Sequence, residues 1–387
     1  MAVAAAVLYT HAVPAKAQDE VLKVGLLATM SGGGAAWGIG ACRGWQMAAE
    51  DINSKGGIAV GDKKYMFEPL CEDDKVNTAE AMAAANKLFS KDGVTYMGLF
   101  SSVSTLAGTT LTNEKKMLSM SAAGMRQALG PDKPYNFRMY MTHVEIGRMF
   151  WDWVKQNKPE IKRVAILARD DAAGQSIGND LAKIITDAGF EVVAVEFTGV
   201  NASDYYPVLT KVLALKPDAI EVGTVLPSGV GLVAKQTVEL GWKGPLFATT
   251  EQALTEALKV GGADNIVGRF FGTTPEYGGA LATEAEKAMS ARYGEAYKNE
   301  PLTAMTTMAY NGLSIIAQAI EGAGTLDSEA LTGWLQDHPV ETIHGESRFG
   351  GKSLYGVPNQ LYTPVWISEA TEGGWKAITK TPATPVE

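Results

Sequence analysis

The chain has 387 residues, which is more than one ordinary domain needs and enough for two. Hydrophobic residues make up 46% of it and charged residues 20%, and no run of about 18 apolar residues occurs, so we predict a globular protein without a transmembrane helix. The net charge of −9 argues against a nucleic-acid partner, which requires a basic surface.

The first 17 residues predict an export signal. An apolar run at residues 2–8 is followed by Ala15-Lys16-Ala17, which fits the small-x-small pattern of a cleavage site. The run is short and no positive charge precedes it, so we interpret residues 1–17 as the truncated end of a leader, with a disordered terminus as the alternative. A leader of this kind predicts a periplasmic location.

A strand–helix alternation begins directly after the leader. Apolar, β-branched runs predict strands, and apolar residues at helical spacing predict the helices between them. Gly56-Gly57 ends the first helix, and Thr78 is expected to cap the second. The predicted strands are residues 21–28, 65–70, 94–99 and 117–121, and the predicted helices are residues 40–54, 78–89 and 104–115.

The alternation then restarts, which predicts a second unit of the same kind. Its strands are expected at residues 163–168, 192–197, 219–225 and 246–248, with helices at 146–156, 176–188, 204–215 and 229–240. Two βα series imply an α/β fold of two doubly wound, mainly parallel-sheet lobes. The later segments, mostly helical with a final strand at residues 360–368, complete both lobes, so the chain crosses between them more than once. Ligands of such sheets lie beyond the carboxyl ends of the strands.

Two glycine-containing segments are similar to enzyme or nucleotide-binding motifs, one to a phosphate-binding loop and one to a serine-hydrolase motif. SGGGAAWGIG, from Ser31, stands where a phosphate-binding loop would, but no Lys-Ser/Thr pair follows, and Arg43 occupies the place of the third glycine. We interpret it as a strand-to-helix turn near a ligand, in which Trp37 either anchors the loop or stacks on the ligand.

The second segment, Gly174-Gln175-Ser176-Ile177-Gly178, matches the G-x-S-x-G pattern of serine hydrolases. Residues 169–173 separate Ser176 from the preceding strand, so the sharp turn that exposes a nucleophile is missing. We interpret Ser176 as a helix cap, and a serine hydrolase remains the alternative function.

Other reactive residues give weaker signals. The four histidines show no metal-ligand spacing, and we assign no metal, cofactor or catalytic residue. The acidic runs Glu72-Asp73-Asp74 and Asp170-Asp171 are interpreted as solvated loop charges. Cys42, on a predicted helix, and Cys71, at the end of a predicted strand, could form one disulfide or remain two separate thiols.

Two polar segments follow neighbouring predicted strands. Ser101-Ser102-Val103-Ser104-Thr105 opens a helix, where hydroxyls and unpaired N–H groups suit a carboxylate; simple capping is the alternative. Residues 121–126, which include Gly124 and Arg126, offer further backbone donors and a cation. We expect both segments at one edge of the first sheet.

These segments resemble the periplasmic leucine/isoleucine/valine-binding protein family over nearly the whole mature length. The resemblance is carried by VGLLATMSGGGAAWG from Val24, AAEDINSKGGI from Ala48, AMAAANKLF from Ala81, YMGLFSSVSTLAG from Tyr96, DDAAGQSIG from Asp170 and KPDAIEVG from Lys216. It implies a type I periplasmic binding protein fold, in which two lobes close on an α-amino acid, and the role of solute-binding subunit of an ABC importer.

The resemblance also implies a ligand site. The carboxylate would meet Ser102, next to Ser101, and the backbone of Ala123 and Gly124. Trp37 matches the aromatic residue of the first loop, and Glu251 matches a glutamate that binds the ligand ammonium. The sequence departs from the family at three places: Met125 replaces a threonine, Ala173 replaces a tyrosine, and Val225-Leu226-Pro227 stands where tyrosines occur.

These departures remove polar or aromatic groups, so we expect a roomier, more apolar cleft. The ligand would be bulkier or less polar than valine or leucine, such as an aromatic acid or an amide. Glu251, by contrast, favours a ligand that keeps a cation or a donor, because a buried unpaired carboxylate is costly.

The resemblance further implies a division into lobes. The N-terminal lobe would comprise residues 18–139 and 273–352, and the C-terminal lobe residues 140–272 and 353–387. Hinge crossings are expected near residues 138–141, 272–274 and 350–353. The expected partners are a small-molecule ligand and a membrane permease, with the protein itself a monomer. A ligand-sensing regulator on the same fold is the remaining alternative.

Overall fold

The computed structural model describes residues 19–31, 35–199, 202–250, 254–298, 300 and 302–385. The predicted leader, residues 1–17, lies outside these ranges. Within them, none of the helices combines the length and the apolar character that crossing a bilayer requires.

The first sheet has nine strands in the order β12-β13-β14-β6-β5-β4-β1-β3-β2. Its six central strands, from β14 to β3, run parallel, and the remaining strands at the two edges pair antiparallel. The strands are β1 (Asp19–Ala28), β2 (Ile58–Val60), β3 (Lys63–Asp73), β4 (Tyr96–Phe100), β5 (Ser119–Ser121), β6 (Asn136–Arg138), β12 (Val340–Thr342), β13 (Gly345–Gly350) and β14 (Gln360–Tyr362).

The second sheet has seven strands in the order β16-β15-β11-β10-β9-β7-β8. The strands from β11 to β8 are parallel, whereas β15 and β16 pair antiparallel at one edge. They are β7 (Arg163–Arg169), β8 (Glu191–Thr198), β9 (Ala219–Glu221), β10 (Leu246–Ala248), β11 (Phe270–Gly272), β15 (Trp366–Thr371) and β16 (Gly374–Lys380).

Helices cover both faces of each sheet, and this confirms the predicted two-lobed, doubly wound α/β class. The helices are α1 (Ala35–Ser54), α2 (Thr78–Asn86), α3 (Ser102–Glu114), α4 (His143–Asn157), α5 (Ala172–Asp187), α6 (Tyr206–Ala214), α7 (Pro227–Glu239), α8 (Leu254–Gly261), α9 (Ala263–Ile266), α10 (Glu284–Ala296), α11 (Ala304–Ala323), α12 (Ser328–Asp337) and α13 (Lys352–Tyr355).

Strand β1 shows why the sequences of the central strands are continuous apolar runs: the strand is covered on both faces. Leu26 packs with α1 and α11 on one face, whereas its neighbour Leu27 packs with α2 and α3 on the other, and both are fully buried. Helices α1 and α11 approach so closely that a Cβ on Gly44 would lie 2.1 Å from the carbonyl oxygen of Thr306. Glycine is therefore required at that contact.

The two cysteines form one disulfide. Cys42 of α1 and Cys71 of β3 are bonded, with their Cα atoms 6.1 Å apart. The bond ties the first long helix to the strand beside β1, and it resolves the alternative that the sequence left open.

Three local predictions were wrong. Asn77, not Thr78, caps α2, because its side chain accepts hydrogen bonds from the N–H groups of Ala79 and Glu80. The first helix begins at Ala35 rather than at residue 40. The single final strand is two strands in different sheets, since Pro364, in the segment between them, has no N–H to continue a ladder.

The third passage between the sheets thus lies at residues 363–365, after β14. Strand Gln360–Tyr362 belongs to the nine-stranded sheet, although it falls in the segment 353–387 that was expected in the C-terminal lobe. The first two passages lie after β6 and after β11, close to the expected positions.

Candidate functional site

A buried carboxylate joins the carboxyl ends of three adjacent strands in the nine-stranded sheet. Asp74, directly after β3, accepts hydrogen bonds from the Thr29 hydroxyl at 2.7 Å and the Ser104 hydroxyl at 2.6 Å. It also accepts from the Ser101 hydroxyl and from the Val76 N–H. Asp74 is fully buried, so the interpretation of this acidic run as solvated charge was wrong for it.

The hydrogen bonds decide the ionisation of Asp74. Burial by itself raises the pKa of this carboxyl, but the bonds from Ser101, Ser104, Val76 and Thr29 outweigh burial, and the pKa lies below its ordinary value. A charged Asp74 therefore holds the loops after β1 and β4 in fixed positions.

The start of α3 lies at this strand edge. Ser101 is its cap: the hydroxyl accepts from the Ser104 N–H at 2.8 Å and donates to Asp74. Because the Ser101 hydroxyl is used in this way, the exposed Ser102, the first residue of α3, is the hydroxyl that a ligand can reach. The first N–H groups of a helix favour an anion.

A strand-end pocket of about 430 Å³ opens in front of this helix start. Four of the predicted site residues line it: Trp37, Ser101, Ser102 and Gly124. Trp37 lies in the first turn of α1 and is 65% exposed, so it is not packed as a loop anchor. The apolar part of the wall also includes Val76, Phe100, Val103, Ala122, Tyr140 and Met305.

The two predicted neighbours of Gly124 have different surroundings. Ala123 is buried and does not line the strand-end pocket. The Met125 side chain is half-buried, and its backbone carbonyl accepts a hydrogen bond from Arg138 at 3.2 Å. Arg126, predicted as a possible cation for the ligand, instead donates to the carbonyl of Leu354.

The second lobe presents its own buried carboxylate. Glu221, at the end of β9, is fully buried and accepts from the Gly223 N–H at 2.7 Å and from the Thr249 N–H and hydroxyl at 3.1 and 2.8 Å. Burial raises the pKa of Glu221 to about 7, although these hydrogen bonds act in the opposite direction. Glu221 fixes the loops after β9 and β10.

Of the predicted second-lobe residues, the three that the structure describes do not line the strand-end pocket. Val225 is buried after β9, Leu226 is half-buried as the cap of α7, and Ala173 is exposed in the first turn of α5. Glu251 lies outside the described residues. In this arrangement the described wall of the strand-end pocket comes from the first lobe and from Tyr140, at the first passage between the sheets.

A buried ion pair lies where the chain first crosses between the sheets. The Arg138 guanidinium, at the end of β6, is 3.2 Å from the Glu145 carboxylate in α4, and both side chains are fully buried. Glu145 also accepts from the N–H and hydroxyl of Thr142, and Arg138 donates to the side chain of Gln360. The network therefore joins the first passage to the third.

The serine of the G-x-S-x-G segment is not arranged as a nucleophile. Helix α5 begins at Ala172, capped by Asp171, so Ser176 lies inside the helix and the prediction that it forms the cap was wrong. It is exposed and makes no hydrogen bond with a histidine within the described parts of the chain. A nucleophile needs such a base within reach.

Among the residues described, no cluster of histidine, cysteine, aspartate and glutamate suits a metal ion.

Known proteins match this chain over most of its length. A family model described as periplasmic binding protein matches residues 21–374. An amino acid binding protein of Pseudomonas aeruginosa is 25% identical over 335 residues, which cover 85% of this chain and 86% of that protein. Leu/Ile/Val-binding protein homolog 3 of Brucella melitensis is 26% identical over 332 residues, covering 84% and 86%.

Solved structures share the fold. An amino acid ABC transporter substrate-binding protein from Pseudomonas fluorescens superposes with a TM-score of 0.72 at 17% identity, covering 95% of this chain and 97% of that one. A solute-binding protein of an ABC transporter from Rhodopseudomonas palustris, in complex with 3,4-dihydroxybenzoic acid, gives a TM-score of 0.65 at 22% identity, covering 94% and 98%.

Proposed function

Because the chain belongs to the periplasmic binding protein family, and within it to the leucine/isoleucine/valine-binding type, we propose that it is the extracytoplasmic solute-binding subunit of an ABC importer. Members of this family bind solutes and are not enzymes. The observation that supports the role most directly is the strand-end pocket, which places Ser102 and the start of α3 opposite Trp37.

The proposed ligand is an amino acid or a related small carboxylate or amide, aromatic acids included. The α3 start favours a carboxylate, and Trp37, Phe100 and Met305 supply apolar surface around it. Relatives are named for leucine, isoleucine and valine, whereas two structural neighbours hold 3,4-dihydroxybenzoic acid and benzoate. Met125 and Ala173, where the family has a threonine and a tyrosine, favour a ligand larger than valine.

Capture would proceed by hinge closure. The lobes, residues 18–139 with 273–362 and residues 140–272 with 363–387, would close about the three passages and bring Val225, Leu226 and Glu251 towards Trp37. A ligand that contacts both lobes stabilises the closed form by its higher affinity for that form. The closed protein, a periplasmic monomer, would then dock on the importer's permease.

Ser102→Ala tests this proposal. A hydrogen bond to a charged group contributes about 1.5–3 kcal/mol, so the substitution should weaken carboxylate binding at least about tenfold. Thermal-shift screening against amino acids, aromatic acids and amides would first identify a ligand, since a bound ligand raises the melting temperature. Titration calorimetry would then compare the variants.

Ser176→Ala is the matched control, because this serine is also exposed but lies on α5. It should bind as the unmodified protein does. Ester hydrolysis that disappears in Ser176→Ala would favour the hydrolase instead, and a ligand bound equally well by Ser102→Ala would refute the placement of the carboxylate.

A further inference from the structure

A second cavity lies beside the passages between the two sheets. We call it the hinge-side chamber, and it measures about 160 Å³. All three passages between the sheets form its walls, with Met139, Pro275 and Val365 as one representative of each. Helix α11 contributes Thr307 and Met308, and α4 contributes Ile146 from another side.

The described part of the chamber wall carries no fixed charge. Among the described residues that line it, none is Asp, Glu, Lys or Arg. Its two histidines are already paired with carboxylates outside the lining: His143 lies 2.9 Å from Asp180 and His344 lies 2.8 Å from Glu286. A charged group on a bound molecule would therefore find little electrostatic stabilisation among these residues.

Three of the lining threonine hydroxyls are likewise engaged with the protein. Thr307 donates to the carbonyl of Ala304, Thr273 to that of Thr249, and Thr250 to that of Gly223. Two further polar side chains, Asn311 and Thr363, also line it, and the Oδ1 of Asn311 accepts from the Ile343 N–H at 3.0 Å. The rest of the surface is mostly methionine, proline, leucine, isoleucine, valine and alanine side chains with the rings of Tyr140, Tyr277 and Trp366. The chamber therefore suits an apolar occupant, and its walls favour a flat ring.

The volume fits one ring. An apolar cavity of about 150 Å³ in another protein stays dry and binds benzene. At about 160 Å³ the hinge-side chamber is of the same size, so it has room for a single six-membered ring.

The hinge-side chamber and the strand-end pocket adjoin a common third cavity. A third cavity, at the cleft rim, shares Pro275, Tyr277, Ala304 and Met308 with the chamber and shares Trp37 and Met305 with the strand-end pocket. Tyr140 lines all three cavities. One molecule can therefore reach from the α3 start into the chamber.

We propose that the hinge-side chamber receives the aromatic ring of the transported solute, and that the solute is an arylalkanoic acid or amide whose ring and carboxyl group are separated by a short chain. The inference rests on the proposed solute-binding function. It goes further by assigning a second subsite and a molecular length: a ring and a carboxyl group that bind in separate cavities need a chain between them, which benzoate lacks.

Calorimetry with benzoate, phenylacetate, 3-phenylpropionate and 4-phenylbutyrate tests the length. We expect 3-phenylpropionate or 4-phenylbutyrate to bind at least tenfold more tightly than benzoate. Thr307→Met and Ile146→Phe fill the chamber from two sides, and each should reduce this preference at least tenfold. Thr110→Met, on the exposed face of α3, is the matched control and should keep the preference.

Melting temperatures of the three variants exclude unfolding as the cause, and the two chamber variants act from different helices. A preference that survives both Thr307→Met and Ile146→Phe, or equal affinity for benzoate and 3-phenylpropionate, overturns the inference. If leucine binds and none of the arylalkanoates does, the solute-binding function stands and the chamber assignment fails. If none of the amino acids, aromatic acids or amides binds, the proposed function fails as well.

Discussion

Asp74→Asn tests whether one buried carboxylate holds the first-lobe part of the site together. The substitution keeps the side-chain volume but replaces the oxygen that accepts from Ser101 and Ser104 by an amide NH₂, which only donates. Each hydrogen bond to a charged group contributes about 1.5–3 kcal/mol, and the two serine hydroxyls can rotate to recover part of the loss. We expect the free energy of unfolding at neutral pH to fall by about 2–3 kcal/mol.

The pH dependence separates the charge from the shape of Asp74. Its pKa is lowered by folding, so its contribution to stability is present above the ordinary value of 3.8 and is lost as the pH falls through the folded-state pKa. The difference between the unmodified protein and Asp74→Asn should therefore shrink as the medium becomes more acidic than this ordinary value.

Urea unfolding followed by circular dichroism, at neutral pH and at a series of acidic pH values, measures both effects. Asp62→Asn removes an exposed carboxylate from the turn before β3 and is the control; it should change stability by less than about 0.5 kcal/mol. The reasoning is refuted if Asp74→Asn is as stable as Asp62→Asn at neutral pH, or if its deficit is the same at every pH.

Two further predictions concern the hinge and the second lobe. Arg138→Leu leaves Glu145 buried without its cation and should lower the free energy of unfolding by about 3–5 kcal/mol in urea titrations; a loss below about 1 kcal/mol would contradict this role. Burial raises the pKa of Glu221 from 4.5 to about 7, so stability should decline as the pH rises between these values, and Glu221→Gln should lack this decline. Identical pH profiles of the two proteins would rule out a buried, titrating Glu221.

The sequence predicted the elements well where burial alone decides them. Strand β10 was predicted with its observed bounds, and β7 to within one residue, because both are apolar runs between turn residues. Hairpin strand β2 was missed, since three residues are too few to show a period. The final strand was misassigned because sequence pattern does not show which sheet a strand joins.

The site was predicted less completely, for a physical reason. Ser102, Gly124 and Trp37 follow strand ends or begin helices, and parallel topology brings such positions together. Asp74 was missed because its partners, Thr29 and Ser101, are 45 and 27 residues away. Glu221 did carry a local signal, a single carboxylate inside the apolar run Ala219-Ile220-Glu221-Val222, which indicates a buried acid.

The hinge-side chamber has no sequence signature at all. Its walls come from segments that lie more than 200 residues apart, between Met139 and Trp366, and it is empty space left by small residues such as Ala304 and Thr307. Only the assembled packing reveals such a space.

The Cys42–Cys71 disulfide has a consequence for how a solute is captured. It links α1, which carries Trp37, to β3, which leads into Asp74. The two elements on either side of the strand-end pocket are therefore joined by a covalent bond. A preorganised surface loses little conformational entropy on first contact with a solute. The solute should therefore first bind to the first lobe, whose conformation changes little in this step. Most of the entropic cost of capture should arise later, when the second lobe closes.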